Sequence, residues 1–249
     1  MPGDGAAGAG RRVAIVQSNY IPWKGYFDLV AGVDLFVLLD EVQYTKRDWR
    51  NRNRIKTAQG AQWLTVPVQV KGRYHQRIDE TLVSDAAWAE RHWATLTHAY
   101  RAAPHFAAYA GALQAAYEAA GRHERLSDVN RTLLEAVMPL LGVDTPLRFS
   151  TELERPEMGP DVDPTQRLVD LCVAAGATEY VSGPAARAYL DPAPFEAHGV
   201  RVRWASYDGY PEYPQPHPPF RHDVTVLDLL FSTGPDAGRY LLREGVVGD

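Results

Sequence analysis

The densest charge in the chain lies in residues 46–56, KRDWRNRNRIK, where six Lys or Arg residues accompany one Asp. The whole chain has a formal net charge of -5. A basic cluster in an acidic protein favours a specific anion such as phosphate, pyrophosphate or carboxylate, because the guanidinium fork matches paired oxygens. If the segment is extended, Arg50, Arg52 and Arg54 share one face and the asparagines between them share the other. The alternative is a solvated loop whose arginines pair with nearby carboxylates.

A second polar stretch, QSNYIPWKGYFDLV at residues 17–30, follows the first apolar run of the chain. Gln17 and Asn19 can each donate and accept hydrogen bonds. The aromatic rings can stack on a ligand, and Lys24 supplies a positive charge. The alternative is that the aromatics belong to the core and Pro22 shapes the turn. We expect this loop to hold a ligand.

Several other groups could transfer protons or attack a substrate. Asp40 ends the second apolar run, and His75 lies in a predicted loop. YDGYPEYPQPHPPF, residues 207–220, is a proline-rich loop, and His217 and His222 flank its end. We select Asp40, His75 and His217 as candidate general bases. Cys172 is the single cysteine and lies mid-helix among apolar neighbours, where a thiol is usually buried and inert. No histidine and carboxylate spacing typical of a metal site is present, so we expect neither a metal nor a cofactor.

Composition limits the class of protein. The chain has 249 residues, of which 45% are hydrophobic and 23% charged, as in an ordinary globular protein. The negative net charge argues against general binding to nucleic acid or to an acidic membrane. A single cysteine excludes an intramolecular disulfide and suits a reducing compartment. No apolar run reaches the roughly 18 residues typical of a membrane span. We expect a cytoplasmic enzyme or binding protein.

The elements that must position these residues begin with two apolar strands, predicted at 12–18 and 34–42, and a short helix between them that starts at Gly25. Such a unit favours parallel strands joined by a right-handed crossover. Ligands of open α/β sheets lie beyond the carboxyl ends of the strands. Both the 17–30 loop and Asp40 fall at that edge, which therefore becomes the predicted site.

The rest of the chain is predicted to alternate strands and helices around a helical block. Residues 12–249 are expected to form one α/β domain, Rossmann-like, with a mainly parallel sheet and a helical insertion or subdomain at about 86–141. The small residues of 1–11 are expected to form a disordered tail. The other predicted elements are strands at 62–70 (an edge or strand end, because of Pro67), 146–153, 178–183 and 200–207, and helices at 164–176 and 224–234.

The string QSNYIPWKGYFDLV…VDLFVLLDEVQYTKRDWRNRNRIK…WLTVPV resembles the signature of the WbqC-like protein family. The resemblance covers about residues 12–235. Members usually have a proline after the first Gln, where this chain has Ser18. The resemblance implies a setting in bacterial O-antigen, polysaccharide and natural-product gene clusters more than it implies a reaction. Its later motif positions are Trp88, His92, Tyr100, Pro104, Phe106, Arg167, Cys172, Gly176 and Tyr180.

Two functions fit these residues. The first is an acyl or aminoacyl transferase that moves an acyl group from a carrier- or CoA-bound thioester to an amine or hydroxyl acceptor. The basic segment would hold the phosphate of phosphopantetheine, and amides would stabilise the oxyanion. The expected partners are a small-molecule substrate and, as a further candidate, an acyl carrier protein. The predicted substrate-binding residues are Gln17, Asn19, Tyr20, Trp23, Lys24, Tyr44, Lys46, Arg47, Asn51, Arg52 and Asn53.

The second function is a sugar-nucleotide or glycan-intermediate binding or modifying protein. The arginines would then hold a pyrophosphate, the aromatic rings would stack on a base or sugar, and Asp40 would be placed to contact a ribose. A scaffold without a small-molecule site is a third alternative, and a basic segment that is buried and fully paired would favour it.

Overall fold

A central sheet carries the fold of the computed structural model, which describes residues 10–155, 162–242 and 247–248. Five strands run parallel, and the last strand is antiparallel to its neighbour. In chain order the strands are β1 (Arg12–Val16), β2 (Leu35–Leu38), β3 (Arg52–Thr57), β4 (Gly60–Thr65), β5 (Leu147–Phe149), β6 (Glu179–Ser182), β7 (Arg201–Ala205) and β8 (Val247–Gly248). Across the sheet the strands follow the order β5-β2-β1-β6-β7-β8.

Helices cover both faces of this sheet. They are α1 (Lys24–Ala31), α2 (Trp88–Tyr100), α3 (Phe106–Ala120), α4 (Leu126–Val137), α5 (Pro164–Ala174), α6 (Ala193–Glu196) and α7 (Val226–Thr233). Alternate residues of β1 and β2 point to opposite faces. Ala14 and Phe36 join a core with α1, α2, α3, α4 and α7. Val13 and Val37 join a second core with α5 and α6.

The predicted β1–α1–β2 unit is present, with Val13 paired in parallel to Leu35. Both strands end earlier than predicted, at Val16 and Leu38, because the residues that follow turn away as loops. The helical block corresponds to α2, α3 and α4. Asp163 caps α5 as expected, accepting hydrogen bonds from the amides of the second and third helical residues at 2.9 and 3.1 Å.

The strand predicted at 62–70 does not join the main sheet. Its first part forms β4, which pairs antiparallel with β3, the second half of the basic segment. The segment is therefore extended only from Arg52 onward, where Asn53 and Ile55 face inward while Arg52 and Arg54 face outward. Arg50 lies in the turn before the strand, so it does not share their face as predicted. The β-propensity of these residues does not predict β3, because Arg and Asn alternate there where a strand usually alternates polar and apolar residues.

The predicted tail at 1–11 lies mostly outside the described residues. Arg11 is described, and its carbonyl accepts hydrogen bonds from the amides of Thr178 and Glu179 at 2.9 and 3.1 Å. Part of the loop before α5, residues 156–161, is also outside them. Within residues 10–155 and 162–242, no helix is long and apolar enough to cross a membrane.

The two borders of the sheet are short. At one border β5 has three residues, and the chain turns directly into a 3₁₀ helix at Ser150–Glu152. At the other border the two residues of β8 pair with β7. The long buried strands β1 and β2 therefore lie inside the sheet.

A buried histidine in the core of the helical block is expected to make stability depend on pH. His92 Nδ1 lies 2.7 Å from the hydroxyl of Tyr20, which is also 2.9 Å from that of Tyr117. Burial lowers the pKa of His92 to about 4. Between the ordinary pKa of histidine, about 6.5, and this lowered value, His92 is protonated in the unfolded chain but neutral in the folded one. The free energy of unfolding therefore falls as pH falls through this range.

We expect His92 to account for a loss of about 3 kcal/mol in the free energy of unfolding between pH 7 and pH 4. Urea unfolding of the wild type and of His92→Gln at both pH values measures this contribution as a difference. Other groups act equally in both proteins and cancel. His98→Gln, an exposed change on the same helix, is the control. Equal losses in wild type and His92→Gln would contradict the assignment.

Candidate functional site

The loop after β1 is held in a strained shape at the carboxyl edge of the sheet. Ile21 has a φ of 33°, in a region that β-branched residues rarely adopt. The Asn53 side chain donates hydrogen bonds to the carbonyls of Tyr20 and Ile21 at 3.2 and 2.8 Å. Strand β3 thereby fixes the loop. A Cβ on Gly25 would lie 2.3 Å from the indole of Trp23, so glycine there lets Trp23 fold over the start of α1.

Arg50 organises the two amides of this loop. Its guanidinium donates to Gln17 Oε1 at 2.5 Å and to Asn19 Oδ1, and it lies 3.6 Å from Asp48. Because the Asn19 oxygen accepts from Arg50, the Asn19 NH₂ group faces away from that contact. It donates no hydrogen bond to the part of the chain that the structure describes. Asn19 therefore offers a donor to a ligand.

A cleft of about 250 Å³ opens in front of this donor. We call it the tryptophan cleft; its lining residues are Asn19, Pro22, Trp23, Trp49, Asn53, His222 and Asp223. Trp23 packs edge-on against Tyr207 and Tyr210, with ring centroids 5.2 and 5.6 Å apart. Asp223 pairs with Arg54 and with Arg221. The cleft therefore combines flat apolar walls with a few polar groups, as small-molecule sites do.

His222 is the titratable base in this cleft. Desolvation lowers its pKa first, and the positive charge of Lys24 lowers it further. The imidazole is therefore neutral at pH 7 and able to accept a proton. Its ring stacks edge-on against Phe220 with centroids 4.6 Å apart, which limits the directions it can take.

Lys24 lies beneath the proline-rich loop. Its ammonium donates to the carbonyl of Pro211 at 3.0 Å and lies over the rings of Tyr210 and Tyr213, 4.7 and 5.3 Å from their centroids. Burial lowers the pKa of Lys24 to about 8. Lys24 thus acts on the cleft through its charge, since it does not line it.

A groove of about 290 Å³ lies on the other side of the β3–β4 hairpin. We call it the basic groove; its lining residues are Tyr44, Lys46, Arg47, Asn51, Arg52, Thr65, Val66, Pro67, Val68 and Val70. The Arg52 guanidinium lies 4.1 Å from the centroid of Trp63, which is 5.3 Å from that of Trp49. Trp49 lines the tryptophan cleft and Arg52 lines the groove, so the stack of Trp49, Trp63 and Arg52 runs from one to the other.

Two atoms inside the basic groove lack partners. Asn51 donates to the carbonyl of Val66 at 2.8 Å, but its buried Oδ1 has no hydrogen-bond partner among the described residues. The same holds for the buried Nε of Arg52. The basic segment is therefore neither buried as a whole nor fully paired, which weighs against the scaffold alternative.

Asp40 lies behind the loop. One of its oxygens accepts the amide of Ser18 at 2.8 Å, and burial raises its pKa above the usual range. Asp40 lines neither the tryptophan cleft nor the basic groove. A proline in place of Ser18 would have no amide hydrogen for this bond. Ser18 thus supplies a backbone donor to Asp40 at the position where the resemblance leads us to expect a proline.

A buried network anchors the proline-rich loop that carries His222. The Asp228 carboxylate on α7 accepts from Tyr100 at 2.9 Å, Tyr213 at 2.7 Å and the Gln215 amide at 2.8 Å. Lys56 at the end of the basic segment donates to Gln215 Oε1 at 2.7 Å. The loop is therefore fixed to α7 and β3 although it has no regular secondary structure.

The structure divides the predicted site residues into groups. Asn19, Trp23 and Asn53 line the tryptophan cleft, and Gln17 is joined to it through Arg50. Tyr20 lies in the core. The predicted residues in the basic groove are Tyr44, Lys46, Arg47, Asn51 and Arg52.

His75 and His217 are exposed and line neither of these two sites. Spacing treats His217 and His222 alike, since both flank the proline-rich loop, whereas the structure brings His222 alone of the two into the cleft. Cys172 is buried in the second core, where desolvation raises its pKa to about 12.

Trp49 and Asp223 also line the cleft, and the sequence analysis did not single them out. Trp49 could have been found from its place within the basic segment. Asp223 carries no comparable signal, because its approach to Arg54 depends on how the proline-rich loop folds back.

Comparison with known proteins relates most of the chain to one family. The model of the WbqC-like protein family matches residues 17–240. The uncharacterized protein Rv1507c of Mycobacterium tuberculosis is 53% identical over 231 residues, which cover 93% of this chain and 97% of that protein. No solved structure matches the chain.

Proposed function

The chain belongs to the WbqC-like protein family, and from this premise and the geometry of the site we propose that it is an acyl or aminoacyl transferase. The donor is a carrier- or CoA-bound thioester, and the acceptor is an amine or hydroxyl in polysaccharide or natural-product biosynthesis. One observation carries the proposal. The neutral base His222 and the free Asn19 amide line the same tryptophan-walled cleft, which the indoles connect to a basic groove.

We also propose that the fold is Rossmann-like. Counted along the chain, the parallel strands lie in the spatial order 3-2-1-4-5, which is the order of doubly wound dinucleotide-binding folds. In that arrangement ligands bind where the strand order reverses, beside β1 and β6. The loop after β1 supplies Asn19 and Trp23, so the tryptophan cleft lies next to this point.

The chemistry assigns a role to each group. The acceptor attacks the thioester carbonyl carbon while His222 takes the proton from its nitrogen or oxygen. Asn19 donates a hydrogen bond to the oxyanion of the tetrahedral intermediate. The carbon–sulfur bond then breaks, and the departing thiolate receives the proton from His222. One oxyanion donor of this kind contributes about 2.7–4 kcal/mol to catalysis.

The basic groove supports the donor assignment. Lys46, Arg47 and Arg52 line it, and no carboxylate is among the described residues that line it. A phosphate bound there would be held by charge-assisted hydrogen bonds. The phosphopantetheine arm would then pass along Trp63 and Trp49 and bring its thioester to the tryptophan cleft.

A nucleotide sugar is the second candidate ligand, favoured by the paired indoles of Trp49 and Trp63 with Arg52 and Arg54 above Trp63. Such a stack suits a base followed by a pyrophosphate. Asp40 gives this alternative less support than the sequence did, because it lines neither the cleft nor the groove.

Thermal unfolding with each ligand set tests the donor. A ligand at about 100 times its dissociation constant stabilises by about 2.7 kcal/mol, which moves the midpoint by several degrees. We expect CoA and phosphopantetheine thioesters to give this shift. Arg52→Ala is expected to weaken their binding about 10- to 100-fold, since it removes charged hydrogen bonds to phosphate.

Lys46→Ala is a second variant, since its exposed side chain can be removed without disturbing the stack on Trp63. Arg239→Ala, an exposed change far along the sequence, is the control. A shift with nucleotide sugars alone would replace the proposal by the second candidate. No shift with either set, also when the thioester is carried by an acyl carrier protein, would overturn both.

A further inference from the structure

A small cavity of about 120 Å³ lies apart from the proposed transfer site, at the carboxyl ends of β2 and β5. Asp40 follows β2 and Ser150 follows β5, and both line it together with Ser127 at the start of α4. We call it the serine cavity. Exposed Arg125 and Thr151 lie at its mouth. Its volume exceeds the roughly 10–15 Å³ that one water needs.

Three buried oxygens in this cavity lack hydrogen-bond partners. Asp40 Oδ2, Ser127 Oγ and Ser150 Oγ have none among the described residues, and their residues are only 2%, 3% and 1% exposed. The Ser127 hydroxyl lies near enough to Asp40 to favour its ionised form, but the two make no aligned hydrogen bond. Buried polar atoms almost always have a partner, so three in one cavity indicate a ligand.

The charge of the lining indicates the kind of ligand. Four carboxyl groups line the cavity against the one guanidinium of Arg125. Glu41 is paired with Arg155 at 2.5 Å and Asp79 with Arg77 at 2.9 Å. Asp40 has no ion pair with any described Lys or Arg, and Arg50 acts on it only at longer range. The cavity therefore has a buried carboxyl group that lacks a contacting cation.

The pKa values of two acids that line the cavity are raised. Burial raises the pKa of Asp40, and the Ser18 amide, the hydroxyls of Ser127 and Ser18 and the charge of Arg50 only partly oppose this rise. Burial also raises the pKa of Asp79, with the negative charges of Glu80 and Asp40 adding to the rise despite the contact with Arg77. A cation placed in the cavity would lower both values.

The lining favours an ammonium group over a metal ion. No group of three His, Cys, Asp or Glu side chains in the described ranges is arranged to hold a metal ion. A primary ammonium needs a different set, since it has three N–H donors and requires three acceptors around one charge. One carboxylate oxygen and two hydroxyl oxygens fulfil that need.

We propose that the serine cavity binds the primary ammonium group of a small molecule, with Asp40, Ser127 and Ser150 as its acceptors. The group enters past Arg125 and Thr151, so the rest of the molecule remains at the mouth. This inference does not rest on the transfer reaction, because the cavity shares no lining residue with the tryptophan cleft or the basic groove.

Nuclear magnetic resonance titration of the full chain with methylammonium chloride tests the proposal. The amide of Ser18 donates to Asp40 and is a direct reporter of the cavity. We expect saturable shifts of Ser18, Ser127 and Ser150 beyond those caused by equal sodium chloride. Asp40→Asn and the double change Ser127→Ala with Ser150→Ala are each expected to raise the dissociation constant at least tenfold.

Asp236→Asn, which removes an exposed carboxylate paired with Arg239, is expected to leave the dissociation constant of methylammonium unchanged. If Asp40→Asn does not fold, the double serine variant still measures whether the cavity binds methylammonium. Equal shifts with tetramethylammonium, which has the charge but no N–H, would overturn the proposal. So would equal shifts with potassium chloride or methanol. No shift beyond sodium chloride would show that water alone fills the cavity, which also overturns it.

Discussion

Replacing His222 with glutamine is expected to slow acyl transfer about 10²- to 10⁴-fold, the range that a positioned general base contributes. The assay is release of free thiol from a panel of acyl-CoA thioesters in the presence of amine and hydroxyl acceptors. Glutamine keeps a similar size and polarity but does not take the acceptor's proton. Because His222 lines the tryptophan cleft and not the basic groove, binding of the thioester is expected to change little.

The pH profile separates a base from a merely structural residue. The pKa of His222 is lowered by desolvation and by Lys24, so wild-type turnover should persist below the ordinary titration range of histidine. The acid limb of the profile should disappear in His222→Gln. A structural role would reduce turnover without moving that limb.

The same substitution at other histidines tests whether the effect on turnover is specific to His222. His98→Gln, an exposed change on α2, is expected to keep wild-type turnover. His75→Gln and His217→Gln test the two histidines that sequence reasoning favoured. If either of them abolishes thiol release while His222→Gln does not, the assignment of the base is wrong.

Replacing Asp228 with alanine is expected to lower the free energy of unfolding by about 3–5 kcal/mol. The carboxylate accepts three hydrogen bonds from Tyr100, Tyr213 and Gln215, and its negative charge favours the charged form of nearby Lys56. Alanine leaves the Tyr100 and Tyr213 hydroxyls without this acceptor in the interior, whereas the Gln215 amide keeps its hydrogen bond to the carbonyl of Arg221 at 3.0 Å. Urea unfolding followed by circular dichroism measures the change.

Ser232→Ala is a suitable control on the same helix. Ser232 lies one turn after Asp228 and is buried, and its hydroxyl has no partner among the described residues. Its removal should change stability by no more than about 0.5 kcal/mol. A change below about 1 kcal/mol in Asp228→Ala would show that the network contributes little to stability.

The edge of the sheet that carries the candidate site could be predicted from sequence, because it follows from a simple pattern. Two apolar runs around a short helix form a parallel pair, and the polar residues after the first run lie at its carboxyl edge. The same rule placed Asp40 correctly at the end of β2, but not the direction its carboxylate faces. The carboxylate faces the amide of Ser18, and it is the register of β1 against β2 that places this amide opposite Asp40.

Sequence alone did not separate the aromatic and charged residues that line the candidate site from those that lie in the core. Tyr20 and Trp23 are three positions apart and both look like ligand-stacking residues, yet Tyr20 is buried against His92 and Tyr117. Lys24 is likewise buried, beneath a loop nearly 190 positions later in the chain. These partners come from α2, α3 and the proline-rich loop, and local sequence patterns do not contain such long-range contacts.

The basic segment shows how an unusual pattern hides a strand. Within β3, Arg52 and Arg54 lie on one face and Asn53 on the other, as an extended chain requires. Arg50 precedes the strand and turns instead toward Gln17 and Asn19. However, the buried face consists of Asn53 and Ile55 in place of an apolar series, because Asn53 hydrogen bonds hold the strained loop. Because Asn53 occupies a buried position of β3, the alternation of polar and apolar residues that usually indicates a strand is missing.

The short borders of the central sheet bear on self-association. An exposed strand edge offers unpaired amides and carbonyls to another chain and is a route to aggregation. Here one outer strand has three residues and leads at once into a 3₁₀ helix, and the other is a two-residue pairing on β7. Neither border offers a long flat template, so the aggregation-prone apolar strands β1 and β2 are shielded from strand exchange while the chain stays folded.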